Sequence, residues 1–282
     1  MPQVTGDIQH LKKIAQEVRV DVIRMLAEAG SGHPGGSLSA TEIVTALFFH
    51  KMRHRPDDPV WPDRDRFILS KGHCCPVLYA ALAKTGYFPK EELLTLRKLG
   101  SRLQGHPYPG KSGERLPGVE TASGSLGQGL SIAIGMALAG RLAKKTHRVY
   151  ALLGDGECQA GQVWEAAMLA PKYQLDNLCA IVDRNKIQND EFVELTLSLE
   201  PFRAKWEAFG WHVIEVNGHD ISQVLEALEE AGTVKGKPTV IVADTVKGKG
   251  VSFMENNPDW HGKAPNREEG ERAIQEILAA PL

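Results

Sequence analysis

The chain has 282 residues, 42% apolar and 24% charged, with a net charge of −2 when histidine is neutral. Such a chain can bury a globular core without disulfide or metal staples. The near-neutral charge excludes a nucleic-acid binder built on a basic stripe, and a phosphorylated ligand would have to be read by a few placed residues. No segment offers the ~20 apolar residues of a membrane span. Met1 to His10 lacks the apolar run of a secretory leader. Cys74, Cys75, Cys158 and Cys179 form no Cys-x-x-Cys pair, so reduced thiols in a cytoplasmic protein are expected.

In chain order, Ile8, Leu11, Ile14, Ala15, Val18, Val22, Met25 and Leu26 recur at helical spacing, which predicts a helix over 8–29 stopped by Gly30. The loop Ser31-Gly32-His33-Pro34-Gly35-Gly36 follows, then a helix over 40–50. A Pro- and Asp-rich loop, 55–65, leads to a short strand over 66–70, and helices are predicted over 76–85 and 90–98. Residues 100–120 are rich in Gly and Pro and read as a long loop, of the kind usually functional or disordered. His106 between Gly105 and Pro107 favours function. Ser123-Gly124-Ser125-Leu126-Gly127-Gln128-Gly129 then opens a small-residue helix to about 143.

The second half alternates. Apolar strands are predicted over 149–153, 178–182, 212–216 and 239–243, with helices over 162–173 and 221–231. Strands buried on both faces and alternating with helices imply an α/β fold, a doubly wound, mainly parallel sheet with helices on both faces. Without repeat or linker, residues 1–282 read as one domain, with a polar segment from about 265 forming a peripheral helix. On the helix over 162–173, Glu165 reads as structural, and the stripe Trp164, Ala167, Met168 as core packing.

Gly154-Asp155-Gly156 follows one apolar strand and Asn185 follows the next. Ligands of open α/β sheets bind at the carboxyl ends of strands, so the two residues fall side by side. A carboxylate and an amide oxygen suit a hard divalent cation that takes its remaining oxygens from a phosphate. Glycines let the backbone approach a diphosphate. The plain alternative is a tight turn capped by Asp155; the paired Asn favours the metal-diphosphate reading. His33, His73, His106 and His261 each sit in a Gly- or Pro-flanked loop. Four such loops near one sheet edge suggest a polar site able to donate, accept and shuttle protons. His10, His50, His54, His147, His212 and His219 lack such context and read as surface or structural residues. A nicotinamide site is disfavoured, since no Gly-x-Gly-x-x-Gly follows the first strand.

Gly154-Asp155-Gly156, 28 further residues and then Asn185 resemble the thiamine diphosphate signature. Ser31-Gly32-His33-Pro34-Gly35, Ser70-Lys71-Gly72-His73, Gly105-His106-Pro107, the stretch Thr121 to Gly129, Lys247-Gly248-Lys249-Gly250 and Trp260-His261-Gly262-Lys263 resemble transketolase segments, in order, from about residue 10 to 263. The resemblance implies a transketolase that moves a two-carbon ketol unit from a ketose phosphate to an aldose phosphate, with thiamine diphosphate and Mg2+ (or Ca2+/Mn2+). It implies Asp155, Asn185 and the Ile187 carbonyl as metal ligands. Lys71, His73, Gly124, Ser125, Leu126, Gly156, Asn185, Lys247 and His261 would meet the cofactor, and His33, His73, His106 and His261 would serve catalysis. It further implies a second subunit carrying the pyrimidine-binding and C-terminal domains, in a dimer of heterodimers, because the chain ends after the first domain of a single-chain transketolase. The activating glutamate would lie on that partner. Ala160 replaces a glutamate that joins two active sites in single-chain relatives. The competing expectations are a deoxyxylulose phosphate synthase-like or 2-oxo acid dehydrogenase α-like subunit, or a non-catalytic binding subunit.

Overall fold

The structure is a computed structural model describing residues 5–111, 115–189 and 191–282. Part of the stretch read for a leader, and residues 112–114 of the predicted long loop, lie outside the described residues.

Helix α1 (Thr5–Ala29) ends at Gly30, whose φ of 63° turns the chain out of the helix. The helix predicted over 40–50 is present as α3 (Thr41–Ala46), which runs on into a π-turn over Leu47–Lys51; a short helix that was not predicted, α2 (Gly35–Ser39), precedes it and is set off from it at Ala40. The division has a local cause. Ser37 Oγ donates to the His33 carbonyl at 2.8 Å, Ser39 Oγ to Gly36 at 3.2 Å, and Thr41 Oγ1 to Ser37 at 3.1 Å. Such side-chain bonds compete with the helical ladder.

Strand β1 (Arg66–Leu69) leads to α4 (Cys75–Thr85), which has Pro76 in its first turn and Gly86 as its left-handed cap. The helix predicted over 90–98 is only a 3-10 turn, Lys90–Thr95, because Arg97 takes a φ of 61° and reverses the chain. After α5 (Gln128–Leu142) come β2 (Val149–Gly154), α6 (Gly161–Lys172) and β3 (Leu178–Arg184). Then follow α7 (Val193–Thr196), α8 (Phe202–Ala208), β4 (His212–Asn217), α9 (Ile221–Thr233) and β5 (Thr239–Asp244). Helix α10 (Arg267–Ala279) starts with a capping box between Asn266 and Glu269, and buries Gly270, Ala273 and Ile277.

The five strands are parallel, in the order β1-β2-β3-β5-β4. Alternation along each strand divides the core into two layers. Phe67, Leu69, Tyr150, Leu152, Cys179, Ile181 and Ile241 face α1, α3, α4, α9 and α10. Ile68, Val149, Ala151, Leu153, Leu178, Ala180, Val182, Val240 and Val242 face α5, α6 and α8. Apolar side chains on both faces explain the unbroken apolar runs. The fold is the predicted α/β sheet, and every strand ends toward the same edge.

Met168 departs from its expected role. It is 57% exposed, while α6 buries Val163, Ala166, Ala167 and Ala170. Trp164 does pack inward, against Trp206 and Phe209, but Met168 lies past the edge of that stripe.

Candidate active site

The register Gly154↔Asp183 puts the ends of β2 and β3 level, so Asp155 and Asn185 leave neighbouring strands. Asp155 Oδ2 accepts from the backbone N–H of Lys186 at 2.6 Å, tying the two strand ends together, and Oδ1 accepts from Gly156 at 2.8 Å. The capping alternative is therefore also present in the structure. Burial and the nearby Asp183 carboxylate raise the Asp155 pKa to about 6. A buried carboxylate in that condition favours a neighbouring cation. A Cβ on Gly156 would stand 2.6 Å from the Gln188 Cβ, so only glycine fits there.

Beneath this edge lies a buried ion pair. Lys71 donates to Asp183 through Nζ, and to the Gly36 carbonyl at 3.0 Å. Asp183 also accepts from Ser39 Oγ at 2.6 Å, from Asn185 Nδ2 at 3.0 Å and from Thr245 Oγ1. Burial opposes its charge, yet Lys71 and the hydroxyl donors hold its carboxyl below the ordinary range. Asp183 thus fixes Asn185 by its amide nitrogen. Asn185 Oδ1 keeps only a 3.2 Å contact with the Ile187 N–H. Glu157 is equally enclosed, accepting from Ser70 Oγ, from Gly127 N at 2.8 Å and from Gly154 N at 3.0 Å. It clips the turn before α5 to the turn after β2.

Three histidines meet above the pair. The rings of His33 and His73 lie 5.1 Å apart, those of His33 and His261 5.5 Å, and those of His73 and His261 5.1 Å. Burial depresses all three. His33 falls to about 4, with His106, Arg97 and Lys247 adding to the effect. His261 falls to about 3, helped by Lys247 and His33. His73 lies well below the ordinary imidazole value. All three are neutral near pH 7, and His33 Nδ1 is buried with no hydrogen-bond partner. Lys247 Nζ donates to His261 Nδ1 at 2.6 Å and to the Ile187 carbonyl at 2.8 Å. Burial and the Lys71 ammonium lower its own pKa to about 8. An ammonium has only donors, so the His261 proton sits on Nε2.

A cleft of about 350 Å³ gathers His33, Lys71, His73, Gly124, Leu126, Asp155, Gly156, Asn185, Ile187, Lys247 and His261. His106 and Ser125 are outside that lining. His106 nevertheless packs on Gly124, whose φ is 136° and whose Cβ would stand 2.5 Å from the His106 ring. Ser125 is exposed, its Oγ accepting from Gln128 Nε2 at 3.0 Å. Ala160 is half-buried, and a Cβ on Gly127 would lie 3.2 Å from its own.

Sequence reasoning missed Asp183, Glu157 and Arg97. An acid directly after the apolar run 178–182 was the available signal for Asp183. Arg97 gave no local signal: its guanidinium lies over Gly105, where a Cβ would be 2.5 Å from Nη1, and its charge reaches His33 and His106.

Among known proteins, the family described as transketolase, thiamine diphosphate binding domain, matches residues 10–279. Homo sapiens transketolase is 45% identical over 273 residues, 96% of this chain. The chain spans only 42% of that relative's length. The 6-deoxy-6-sulfo-D-fructose transketolase subunit SqwG of Clostridium sp. (strain MSTE9) is 43% identical over 271 residues, 96% of each chain. The solved Campylobacter jejuni transketolase superposes with a TM-score of 0.90 at 36% identity, covering 96% of this chain and 43% of that one. The chain belongs to the transketolase family, in its thiamine diphosphate-binding domain.

Proposed function

We propose that this chain is one subunit of a two-chain transketolase, and that it holds the diphosphate end of thiamine diphosphate. The carrying observation is the meeting of Asp155, Asn185 and the Ile187 carbonyl at one sheet edge, beneath three neutral histidines. The near end-to-end likeness to SqwG supports a separate subunit. The second subunit would bring the pyrimidine-binding and C-terminal domains and the activating glutamate, in a dimer of heterodimers. The cytoplasm is the compartment this reading assumes; no helix among the described residues is long and apolar enough to cross a membrane.

The residues fit the cofactor and its cation. Asp155, Asn185 Oδ1 and the Ile187 carbonyl form an oxygen set for Mg2+ (or Ca2+/Mn2+) that leaves further positions for phosphate oxygens. The Ile187 carbonyl already faces the Lys247 ammonium, so it lies in a place that favours positive charge. Gly156 and Asn185 would face the diphosphate, with Lys71, His73 and Lys247 near the cofactor. The backbone of Gly124, Ser125 and Leu126 would meet the aminopyrimidine.

When bound, thiamine diphosphate supplies the nucleophile and electron sink for carbon–carbon cleavage and formation. The chain's own work is positioning and proton movement. His33, His106 and His261 would contact sugar hydroxyls, with His73 nearer the cofactor. His261, which lines the cleft and carries its proton on Nε2, would serve as a donor there. His33, neutral, can accept a proton as a hydroxyl becomes a carbonyl. The substrates proposed are a ketose phosphate donor and an aldose phosphate acceptor, with a sulfosugar donor the variant that SqwG suggests. The test is a ketol-transfer assay of the assembled pair with pentose phosphate and sulfofructose donors. Two-carbon transfer is expected with one of them; an assembled pair that binds the cofactor and transfers neither overturns the reading.

A further inference from the structure

His219 has no place in the site described above, yet its surroundings connect it to the cleft. It lies in the turn between β4 and α9, and both ring nitrogens are engaged. Nε2 accepts from the backbone N–H of Val246 at 2.8 Å. An acceptor nitrogen carries no proton, so the ring proton is on Nδ1, which donates to Glu42 Oε2 at 2.9 Å. Glu42, on α3, is also paired with Arg19 of α1 at 2.6 Å. Burial works against its charge, but Arg19 and His219 outweigh that and keep the carboxyl below its ordinary range. Arg19 Nε then donates to the Lys249 carbonyl at 3.2 Å.

The network therefore grips the chain on both sides of Lys247: at Val246 through His219, and at Lys249 through Arg19. Within the segment, Gly248 N–H donates to Gly35 at 3.0 Å, and Asn256 N–H to the Lys247 carbonyl at 3.0 Å. The Lys247 side chain crosses the interior with 2% of its surface exposed, and its ammonium reaches the cleft. A long flexible side chain held so deeply depends on its backbone being fixed. Loss of the acceptor at Nε2 would leave the half-buried Val246 N–H without its side-chain partner and loosen the grip.

We infer that His219, backed by Glu42 and Arg19, is a positioning residue that sets Lys247 in the cofactor cleft. The inference rests on the proposed role of that cleft. It gives Glu42 and Arg19, neither of them part of a site motif, a share in cofactor binding.

The test is a double-mutant cycle on the assembled complex, reading thiamine diphosphate affinity with Mg2+ by calorimetry. His219→Phe should weaken binding by about tenfold, the scale of one lost hydrogen bond. Placed on Lys247→Met, it should cost almost nothing more, because its effect passes through Lys247. His219→Gln keeps an acceptor for Val246 and should recover most of the affinity. Hydrogen exchange in the full chain should show residues 246–254 losing protection in His219→Phe while the strands stay protected. Full additivity of the two substitutions, or no rescue by glutamine, would overturn the inference and leave His219 merely structural. If Lys247→Met itself binds the cofactor normally, the reading of the cleft fails first.

Discussion

Lys247 Nζ stands 2.6 Å from Nδ1 of His261, and this contact fixes the state of both side chains. The ammonium forces the imidazole proton onto Nε2 and, after burial, is the largest cause of the depressed His261 pKa. Lys247→Met should therefore let His261 titrate closer to its ordinary range, though burial keeps it below. Histidine proton shifts followed by NMR through acid pH would show the displacement. An unchanged His261 titration would mean that the contact does not govern its charge.

Asp155→Ala should abolish cofactor retention. It removes the only carboxylate of the proposed cation set, and even supporting partners of metal ligands typically cost about 10–100-fold in affinity. Calorimetric titration of the assembled complex with thiamine diphosphate and Mg2+ is the check. Wild-type affinity in the variant would remove the cofactor assignment.

His106→Ala should separate turnover from binding. His106 packs on Gly124 at the rim rather than among the cleft-lining residues, so cofactor affinity should change little. Turnover per bound cofactor should fall by about 10²–10⁴-fold, the usual contribution of a positioned acid or base. Loss of cofactor binding with normal turnover per bound cofactor would reverse the assignment.

The cofactor-free chain should lose stability as acid is added. His33, near 4, His73, well below its ordinary value, and His261, near 3, resist protonation in the folded state. In the unfolded chain they take up protons at about 6.5. Below that pH the unfolded state holds more protons, so stability falls as pH drops from about 6.5 toward 3. Asp155 acts the opposite way: its raised value of about 6 lets the folded state take up a proton first and offsets part of the loss. Urea unfolding at pH 7 and pH 5 should show a lower midpoint at pH 5, and His261→Gln should flatten the difference. A midpoint that rises on acidification would refute the balance.

Strands β2, β3 and β5 were legible because each is an apolar run buried on both faces, and the edge strand β4 because Val213, Ile214 and Val216 still mark it although Glu215 is exposed. The meeting of Asp155 and Asn185 at one sheet edge was legible because they follow two apolar runs of this kind, β2 and β3. The short helix α2 was not, because Gly35, Gly36, Ser37 and Ser39 are weak helix formers, and the local hydroxyl bonds of Ser37, Ser39 and Thr41 suit a turn as well as a helix. Asp183 and Glu157 were hidden for a different reason. A carboxylate in sequence does not announce the three or four donors that fold around it. Met168 shows the limit of periodicity, for a residue at helical spacing can still lie past the margin of the buried face.

The last expectation concerns assembly. On the proposed reading the cleft holds a diphosphate and a cation, but among the described residues no acid in its lining is free to activate an aminopyrimidine: Asp155 is committed to two backbone N–H groups and Glu157 to three donors. The chain also exposes apolar side chains around its α5 and α6 side, with Leu142 85%, Met168 57% and Tyr173 45% accessible. Where such residues form one contiguous patch, they commonly mark a surface that another chain covers, and closed two-fold symmetry is the usual form of such assemblies. The isolated 282-residue chain, given thiamine diphosphate and Mg2+, should therefore transfer no ketol units. Adding a chain with the pyrimidine-binding domain from the same source should restore transfer and raise the mass measured by light scattering. Leu142→Glu should weaken that assembly while leaving the fold intact by circular dichroism. Full transfer by the isolated chain would defeat the two-chain reading, because every catalytic group would then have to come from the residues described above.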